Sequence, residues 1–250
     1  MVQEIGLVKA IYRYPVKSMA GEQLTSASLG WHGIEGDRRF AFRRVEQTGG
    51  FPWLTAGRLP ALLRYQPSRA ATGTAETLPT HVRTPAGEDL ELHGEALRNE
   101  LSAAHRAAVQ LMQLDHGMFD EAALSLISTA TIRTIEKLAG CATDIRRFRP
   151  NIVVETTADA PFPEDAWIGK IIAFGQQSDA PAMSVAMRDV RCGMINLDPE
   201  TGAVAPQILK AVVSSNQNCA GVYGSTFRNG TITVGDRVFL INVQDPVLHE

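Results

Sequence analysis

Cysteine is scarce in this chain, and several familiar motifs are missing. The 250 residues include only Cys141, Cys192 and Cys219, with no CxxC pair, so a disulfide framework is not predicted. There is no GxGxxG, P-loop, HExxH or GxSxG pattern, which argues against the usual nucleotide-binding, zinc-protease and serine-hydrolase interpretations. No apolar run approaches the ~20 residues that span a bilayer.

Neither sign of charge is in large excess. Lys and Arg number 24 and Asp and Glu number 27, giving a formal net charge of −3. This balance gives no electrostatic case for nucleic acid or an anionic membrane as the main partner. Residues 1–6 also lack the basic-then-apolar order of a secretory signal. We therefore expect a cytoplasmic protein with no membrane span and no nucleic-acid partner.

The apolar pattern is mostly that of short strands between glycines and prolines. Helical spacing is clearest over 95–101 and 128–138, and Gly140 is suited to end the second helix. Segments 61–66 and 208–213 are predicted to be strands, and 70–80 a mobile loop. The sequence thus predicts a mainly β fold with some helix (α+β), comprising an N-terminal β-rich domain over 1–95 and a C-terminal β-barrel domain over 96–250.

Cys192 is the leading candidate for chemistry. It lies at the end of an apolar strand, after Arg191 and before the turn-forming segment 198–202. A neighbouring cation favours the thiolate, which is the form that binds soft metals. The alternative is a buried structural cysteine. Cys141 and Cys219 have no partner at metal-ligand spacing and are expected to be structural.

Four further segments are suited to binding an anion. Each also has a plainer interpretation: a solvated loop, a surface salt bridge with Asp37, a solvated charged face or an ordinary helix N-cap. They contain lysine or arginine charges, hydroxyl groups, an amide and the start of a helix. One phosphate-bearing cofactor with a soft metal, bound at a domain interface, would use all of them. The candidate residues are Lys17, Ser18, Arg38, Ser128, Thr129, Arg149 and Asn151.

The order of these motifs resembles that of the MOSC-domain family. The matching segments are 14–18, 36–40, 148–153 and 191–202, and residues 230–236 resemble the end of that family. The similarity is greatest to the group with an N-terminal MOSC-type β domain, which includes the mitochondrial amidoxime-reducing component. It covers nearly the whole chain.

The resemblance implies a molybdenum cofactor of the molybdopterin type, and pyridoxal phosphate is not expected. Cys192 falls at the metal-ligating and catalytic cysteine of the family. The candidate anion-binding residues fall at or near cofactor-contacting positions, and Tyr223 aligns more loosely with a tyrosine near the site. The implied activity is reduction of small N-hydroxylated compounds. The alternative is a non-enzymatic cofactor carrier or sulfur-transfer module.

Two departures from the family pattern affect these expectations. Relatives commonly have a Thr-Thr pair after the cysteine, where this chain has Ile195-Asn196, so substrate preference is open. Some bacterial relatives carry a ferredoxin-like domain, and no cluster-binding cysteine set is present in these 250 residues. Electrons are therefore expected from a separate ferredoxin- or flavoprotein-like partner.

Overall fold

Short strands make up most of the regular structure. The computed structural model describes residues 2–69 and 78–241, so most of the loop predicted at 70–80 lies outside the described residues. The strands are β1 Val2–Arg13, β2 Glu22–Leu24, β3 Ser26–Gly30, β4 Gly33–Ile34, β5 Phe40–Arg44, β6 Gln66–Ser68, β7 His81–Arg83, β8 Asp89–Glu91, β9 Val109–Gln113, β10 Leu124–Ser128, β11 Ile152–Thr156, β12 Ile171–Phe174, β13 Ala182–Val190, β14 Cys219–Arg228, β15 Gly230–Thr233 and β16 Arg237–Ile241.

Helices are few among the described residues. The α-helices are α1 Glu95–His105, α2 Thr129–Ala139 and α3 Pro206–Asn216. Short 3-10 helices cover Pro60–Arg64, Ile145–Phe148, Pro163–Trp167 and Gly193–Asn196. The mainly β prediction is confirmed. No described helix has the length and apolar character needed to cross a bilayer.

Seven strands close into a β-barrel. Their order is β11, β10, β14, β13, β12, β16 and β1, and the β1–β11 pairing closes the ring. The β10–β11 pair is parallel, and the other pairs around the ring are antiparallel. The first strand of the chain is therefore part of the barrel formed otherwise by residues 124–241. The predicted boundary at residue 95 remains a prediction.

Period-two alternation places the barrel strands between two hydrophobic layers. Leu126 and Val154 pack in one cluster with residues of β3, β4 and β15. Ile127 and Val153, one position along, pack in another cluster with residues of α2 and α3. The two helices therefore cover one side of the barrel.

The N-terminal module has its own core, formed by β5, α1, β9 and the segments between them. Phe40, Phe42, Leu62, Leu97 and Leu101 are buried together there. A small cluster of Ala56, Leu63 and Leu197 joins this module to the segment after Cys192. Contacts from both parts of the chain thus hold the loop that carries the candidate thiol.

Two predicted strands are helical in the structure. Residues 208–213 lie in α3, where Pro206 occupies the first turn and Ile208, Ala211 and Val212 form its buried face. This spacing of three and four is helical, and β-branched residues obscured it. Residues 61–64 lie in a 3-10 helix that begins at Pro60, and extended structure begins only at Gln66.

Candidate functional site

A cavity of about 820 Å³ lies where the N-terminal module meets one end of the barrel. Its volume is in the range of ordinary small-molecule sites. Six of the nine predicted site residues line it, from five separate segments: Lys17, Ser18, Arg38, Arg149, Cys192 and Tyr223. The structure thus brings together residues more than 200 positions apart in the chain.

Cys192 is exposed at the cavity wall. It follows β13 and stands at the N-cap position of the 3-10 helix Gly193–Asn196. The pairing between β13 and β14 shifts register at three points, the last of them between Arg188 and Val190, and such bulges are frequent beside functional sites. Within residues 2–69 and 78–241, no cluster of three or more His, Cys, Asp or Glu side chains could hold a metal. A metal here would depend on one thiolate and on ligands supplied by a cofactor.

Three cationic side chains line the cavity and come from segments distant in sequence from the loop that carries Cys192: Lys17, Arg38 and Arg149. Lys17 is almost fully buried and its ammonium lies 2.7 Å from Asp120; burial lowers the pKa of Lys17, although Asp120 opposes the change. The Arg38 guanidinium pairs with Asp37 and also donates to the Arg149 carbonyl at 3.1 Å. The salt bridge with Asp37 considered from the sequence is therefore present, but it is not confined to the surface.

Arg149 has the least satisfied charge of this group. Its Nη1 donates to the Met19 carbonyl at 2.7 Å, whereas its buried Nη2 has no hydrogen-bond partner. The guanidinium lies 4.1 Å from the centre of the Tyr14 ring, a cation–π contact. Burial lowers the pKa of Arg149 to about 10, which leaves it cationic at neutral pH. A buried donor without a partner is uncommon, and an anion in the cavity would satisfy it.

Backbone conformation at these positions is also unusual. Ser18, Arg38 and Arg149 have φ values of 66°, 50° and 49°, in the left-handed region that most residues avoid. Such conformations cluster at ligand-binding sites because the surrounding structure must hold them. The three residues are all among those for which the family resemblance implied contact with the cofactor.

Asp189, Arg191 and Tyr223 form the wall next to Cys192. Arg191 donates from Nε to the Ala220 carbonyl and from Nη1 to the Phe148 carbonyl. Its Nη2 lies 2.6 Å from Asp189 Oδ2, although no hydrogen bond of normal geometry reaches either carboxylate oxygen. Burial raises the pKa of Asp189 to about 7, against the opposing charges of Arg191 and Arg38.

The absence of a side chain at Gly221 leaves space for the Arg191 guanidinium. Gly221 has a φ of 84°, and an added Cβ would lie 2.7 Å from the Leu126 carbonyl oxygen and 3.1 Å from Arg191 Nη2. A side chain would therefore displace the guanidinium that anchors the segment next to Cys192. Burial and the nearby Asp189 raise the pKa of Tyr223 to about 12, so its hydroxyl is protonated at neutral pH.

Asn151 does not line the cavity but supports it. Its buried side chain accepts from the Ser125 N–H at 3.1 Å, and Arg38 Nη1 lies 3.4 Å from the same oxygen. Asn151 therefore helps to hold Arg38. Its direct contact with a cofactor, which the resemblance implied, stays a prediction.

The structure does not bring Ser128 and Thr129 to the cavity. Ser128 is the N-cap of α2, and its side chain accepts from the Thr131 N–H at 3.0 Å. Glu164 occupies the helix start: its Oε1 accepts from the Ser128 N–H and its Oε2 from the Thr131 hydroxyl, each at 2.6 Å. The ordinary N-cap considered from the sequence is what forms, and a carboxylate of the protein takes the place of an external anion.

Sequence reasoning missed Asp120 and Asp189. Asp189 could have been noticed, because it stands two positions before Arg191 at the end of a strand, and such residues share a face. Asp120 lies in a loop with no periodicity, and its pairing with Lys17 is visible only in three dimensions. Exposed apolar residues near the thiol were also missed: Phe51, Met187 and Val190 line the cavity.

The two residues that depart from the family pattern differ in their roles. Ile195 is buried and lines the cavity. Asn196 instead faces α3, where its Oδ1 accepts from the Leu209 N–H at 2.9 Å. The Arg147 side chain also donates to the Asn196 carbonyl. The replacement at 195 thus changes the cavity, whereas the residue at 196 anchors the loop.

A closed β-barrel joined to a smaller β module, with an exposed cysteine in a cavity lined by several arginines, defines a class of two-module β proteins. The chain belongs to the MOSC family: the MOSC N-terminal beta barrel domain matches residues 5–130, and the MOSC domain matches residues 113–239. This family generally binds the molybdenum cofactor.

Among the solved structures similar to this chain, one with a TM-score above 0.5 supports the fold alone. The YUAD protein from Bacillus subtilis is 14% identical, with a TM-score of 0.53 over 98% of this chain and 100% of that chain. YiiM from Geobacillus stearothermophilus is 17% identical, with a TM-score of 0.38 over 50% of this chain and 57% of that chain. The comparison with curated proteins gave no match.

Proposed function

We propose that this protein is a molybdenum-cofactor-dependent oxidoreductase that reduces small N-hydroxylated compounds with electrons from a separate redox protein. The observation that carries the proposal is the presence, in one cavity, of an exposed cysteine and a buried arginine nitrogen without a partner. Cys192 Sγ is suited to a soft metal, and Arg149 Nη2 is suited to a phosphate oxygen.

The residues present fit the cofactor. Lys17, Arg38 and Arg149 would hold its terminal phosphate, and Cys192 would ligate molybdenum. Arg149 needs an acceptor for its buried Nη2, whereas Lys17 and Arg38 already have acidic neighbours. We expect Arg149 to contribute most of the new binding energy, because forming a charge-assisted hydrogen bond relieves an unsatisfied buried group.

When bound, the cofactor supplies the redox chemistry by which oxygen is removed from an N-hydroxylated nitrogen. The protein binds and orients the cofactor and the N-hydroxylated substrate. Arg191 anchors the segment before Cys192 through two backbone carbonyls, and Met194 and Leu197 pack against Ala56 and Leu63 on its other side. The apolar side chains of Phe51, Met187 and Val190 at the cavity suit an organic substituent on the substrate.

Substitution of the thiol tests this proposal. The Cys192→Ala variant should lose reduction of an amidoxime or hydroxylamine, measured by product formation with a chemical or protein electron donor. Wild-type protein from a cofactor-competent host should contain close to one molybdenum per chain. Cys141→Ala is the matched control, since the half-buried Cys141 lies outside the cavity. Full activity in Cys192→Ala would contradict the proposal.

The same preparation distinguishes the carrier alternative. Wild-type protein that holds the cofactor, transfers it to an apo-enzyme and turns over no N-hydroxylated substrate would be a carrier and not a reductase. The electron donor and the cytoplasmic location are further expectations from the sequence. Fractionation of the native cell and reconstitution with candidate ferredoxins or flavoproteins address them.

A further inference from the structure

Asp189 is a buried carboxylate with an unusual environment. Its side chain is 1% exposed, yet it belongs to the lining of the cavity. It stands three positions before Cys192, and its neighbour Arg191 forms an ion pair without a hydrogen bond of normal geometry. A fully structural carboxylate at this depth would accept several hydrogen bonds. Asp189 therefore has hydrogen-bond acceptor capacity that its protein neighbours leave largely unused, with the Tyr223 hydroxyl as its other polar neighbour at the cavity wall.

The proposed reaction needs protons at the same place. Conversion of R–NH–OH to R–NH₂ breaks the N–O bond, consumes two electrons and two protons, and releases water. The two electrons come from the external donor protein that the proposed function requires. Of the acidic residues lining the cavity, Asp120 and Glu121 are exposed to solvent, whereas Asp189 is enclosed.

We propose that Asp189 is the general acid that protonates the substrate hydroxyl oxygen as the N–O bond breaks. This proposal rests on the proposed function. The proton passes from the Asp189 carboxyl to the oxygen, which leaves as water, and the two electrons go to nitrogen. The second proton, taken from solvent, completes the amine, and another solvent proton restores the Asp189 carboxyl.

The groups that face Asp189 suit this role. Arg191 on its own segment and Arg38 from the loop before β5 favour the carboxylate, as does the Tyr223 hydroxyl on β14. Burial and the negative charge of Asp120, from the loop before β10, favour the protonated acid. The balance leaves the pKa of Asp189 at about 7, which suits an acid that gives up and regains a proton near neutral pH.

The test compares Asp189→Asn and Asp189→Glu with wild-type holoenzyme. In Asp189→Asn we expect kcat to fall about 100-fold, the usual contribution of a general acid, with KM nearly unchanged. The decline of kcat with rising pH near neutrality should disappear. Asp189→Glu should recover part of kcat and the pH dependence. Molybdenum and pterin contents should match wild type in both variants.

An infrared titration provides a readout that does not need turnover. A protonated carboxyl band that disappears near pH 7 in wild type and is missing from Asp189→Asn supports the proposal. Equal kcat and an unchanged pH profile in Asp189→Asn overturn it, as does a loss of activity explained entirely by lost molybdenum. If wild type reduces no N-hydroxylated substrate, the proposed function fails. If wild type is active and Asp189→Asn is too, only this inference fails.

Discussion

Two carboxylates in this molecule are buried to the same depth but differ in their hydrogen bonding. Glu164 and Asp189 are each 1% exposed. Glu164 accepts from a backbone N–H and a hydroxyl at the start of α2. Asp189 lies beside the Arg191 guanidinium and near the Tyr223 hydroxyl, but no hydrogen bond of normal geometry reaches its oxygens. Glu164 therefore stabilises the start of α2, whereas the Asp189 oxygens can still accept hydrogen bonds.

The same contrast applies to the places where an anion could bind. The start of α2 has the N–H groups and dipole that favour an anion, but Glu164 already fills it. The cavity has Arg149, whose Nη2 is buried without a partner. Buried polar groups are costly when unpaired, so an orphaned group is a better indicator of a ligand site than a group with general affinity for anions.

The largest effect on folding is expected at Glu164. Glu164→Ala leaves the Ser128 N–H and the Thr131 hydroxyl without their acceptor, and the free energy of unfolding should fall by about 3 kcal/mol. Denaturant unfolding measures this change. Molybdenum content per folded molecule should be unchanged.

Glu155→Ala is the matched control for Glu164→Ala. Glu155 is exposed on β11 and pairs with Lys9, and such surface pairs contribute less than about 1 kcal/mol. Equal stability of the two variants would show that Glu164 is not needed at the helix start. Loss of molybdenum in folded Glu164→Ala would place this helix start in the cofactor site after all.

A smaller effect, on binding and not on folding, is expected at Arg149. Arg149→Met keeps an extended side chain over Tyr14 but removes the charge, and cofactor affinity should fall at least about tenfold, equivalent to about 1.4 kcal/mol. Molybdenum and pterin contents after extensive dialysis measure the loss. Arg133→Met, at the exposed side of α2, should retain the wild-type contents. Equal retention by both variants would remove Arg149 from the proposed phosphate site.

Much of the fold could be predicted because the barrel strands are short apolar segments bounded by turn residues. Val153, between Ile152 and Val154, belongs to a different hydrophobic layer from its neighbours, so this strand is apolar on both faces and reads in the sequence as one short apolar run. Helix α3 was wrongly predicted because Val212 and Val213 have strand preferences that tertiary packing overrides. Local propensity could not show that α3 packs on the barrel.

The site was predictable where residue chemistry and family motif agreed. Lys17, Arg38, Arg149 and Cys192 meet in one cavity, although only their chemical types and order were known from the sequence. Ser128 illustrates the opposite case, because its capping geometry was predictable but the approach of Glu164, 36 residues later, was not. Whether a helix start is already occupied by a carboxylate of the protein depends on such long-range contacts, which the local sequence does not show.

The smallest effect is the change in stability over one pH unit near neutrality. The pKa of Asp189 is about 7 in the folded protein, above its ordinary value of 3.8. The folded state therefore holds a proton that the unfolded state releases, and stability should decrease as pH rises from about 4 to about 7. One such proton changes the unfolding free energy by at most about 1.4 kcal/mol per pH unit, so about 1 kcal/mol is expected between about pH 6 and about pH 7.

Asp189→Asn should remove this pH-dependent component of the unfolding free energy from unfolding curves measured at the two pH values. An unchanged slope in Asp189→Asn would mean that Asp189 titrates as an ordinary carboxyl, and the contrast with Glu164 would then rest on hydrogen bonding alone.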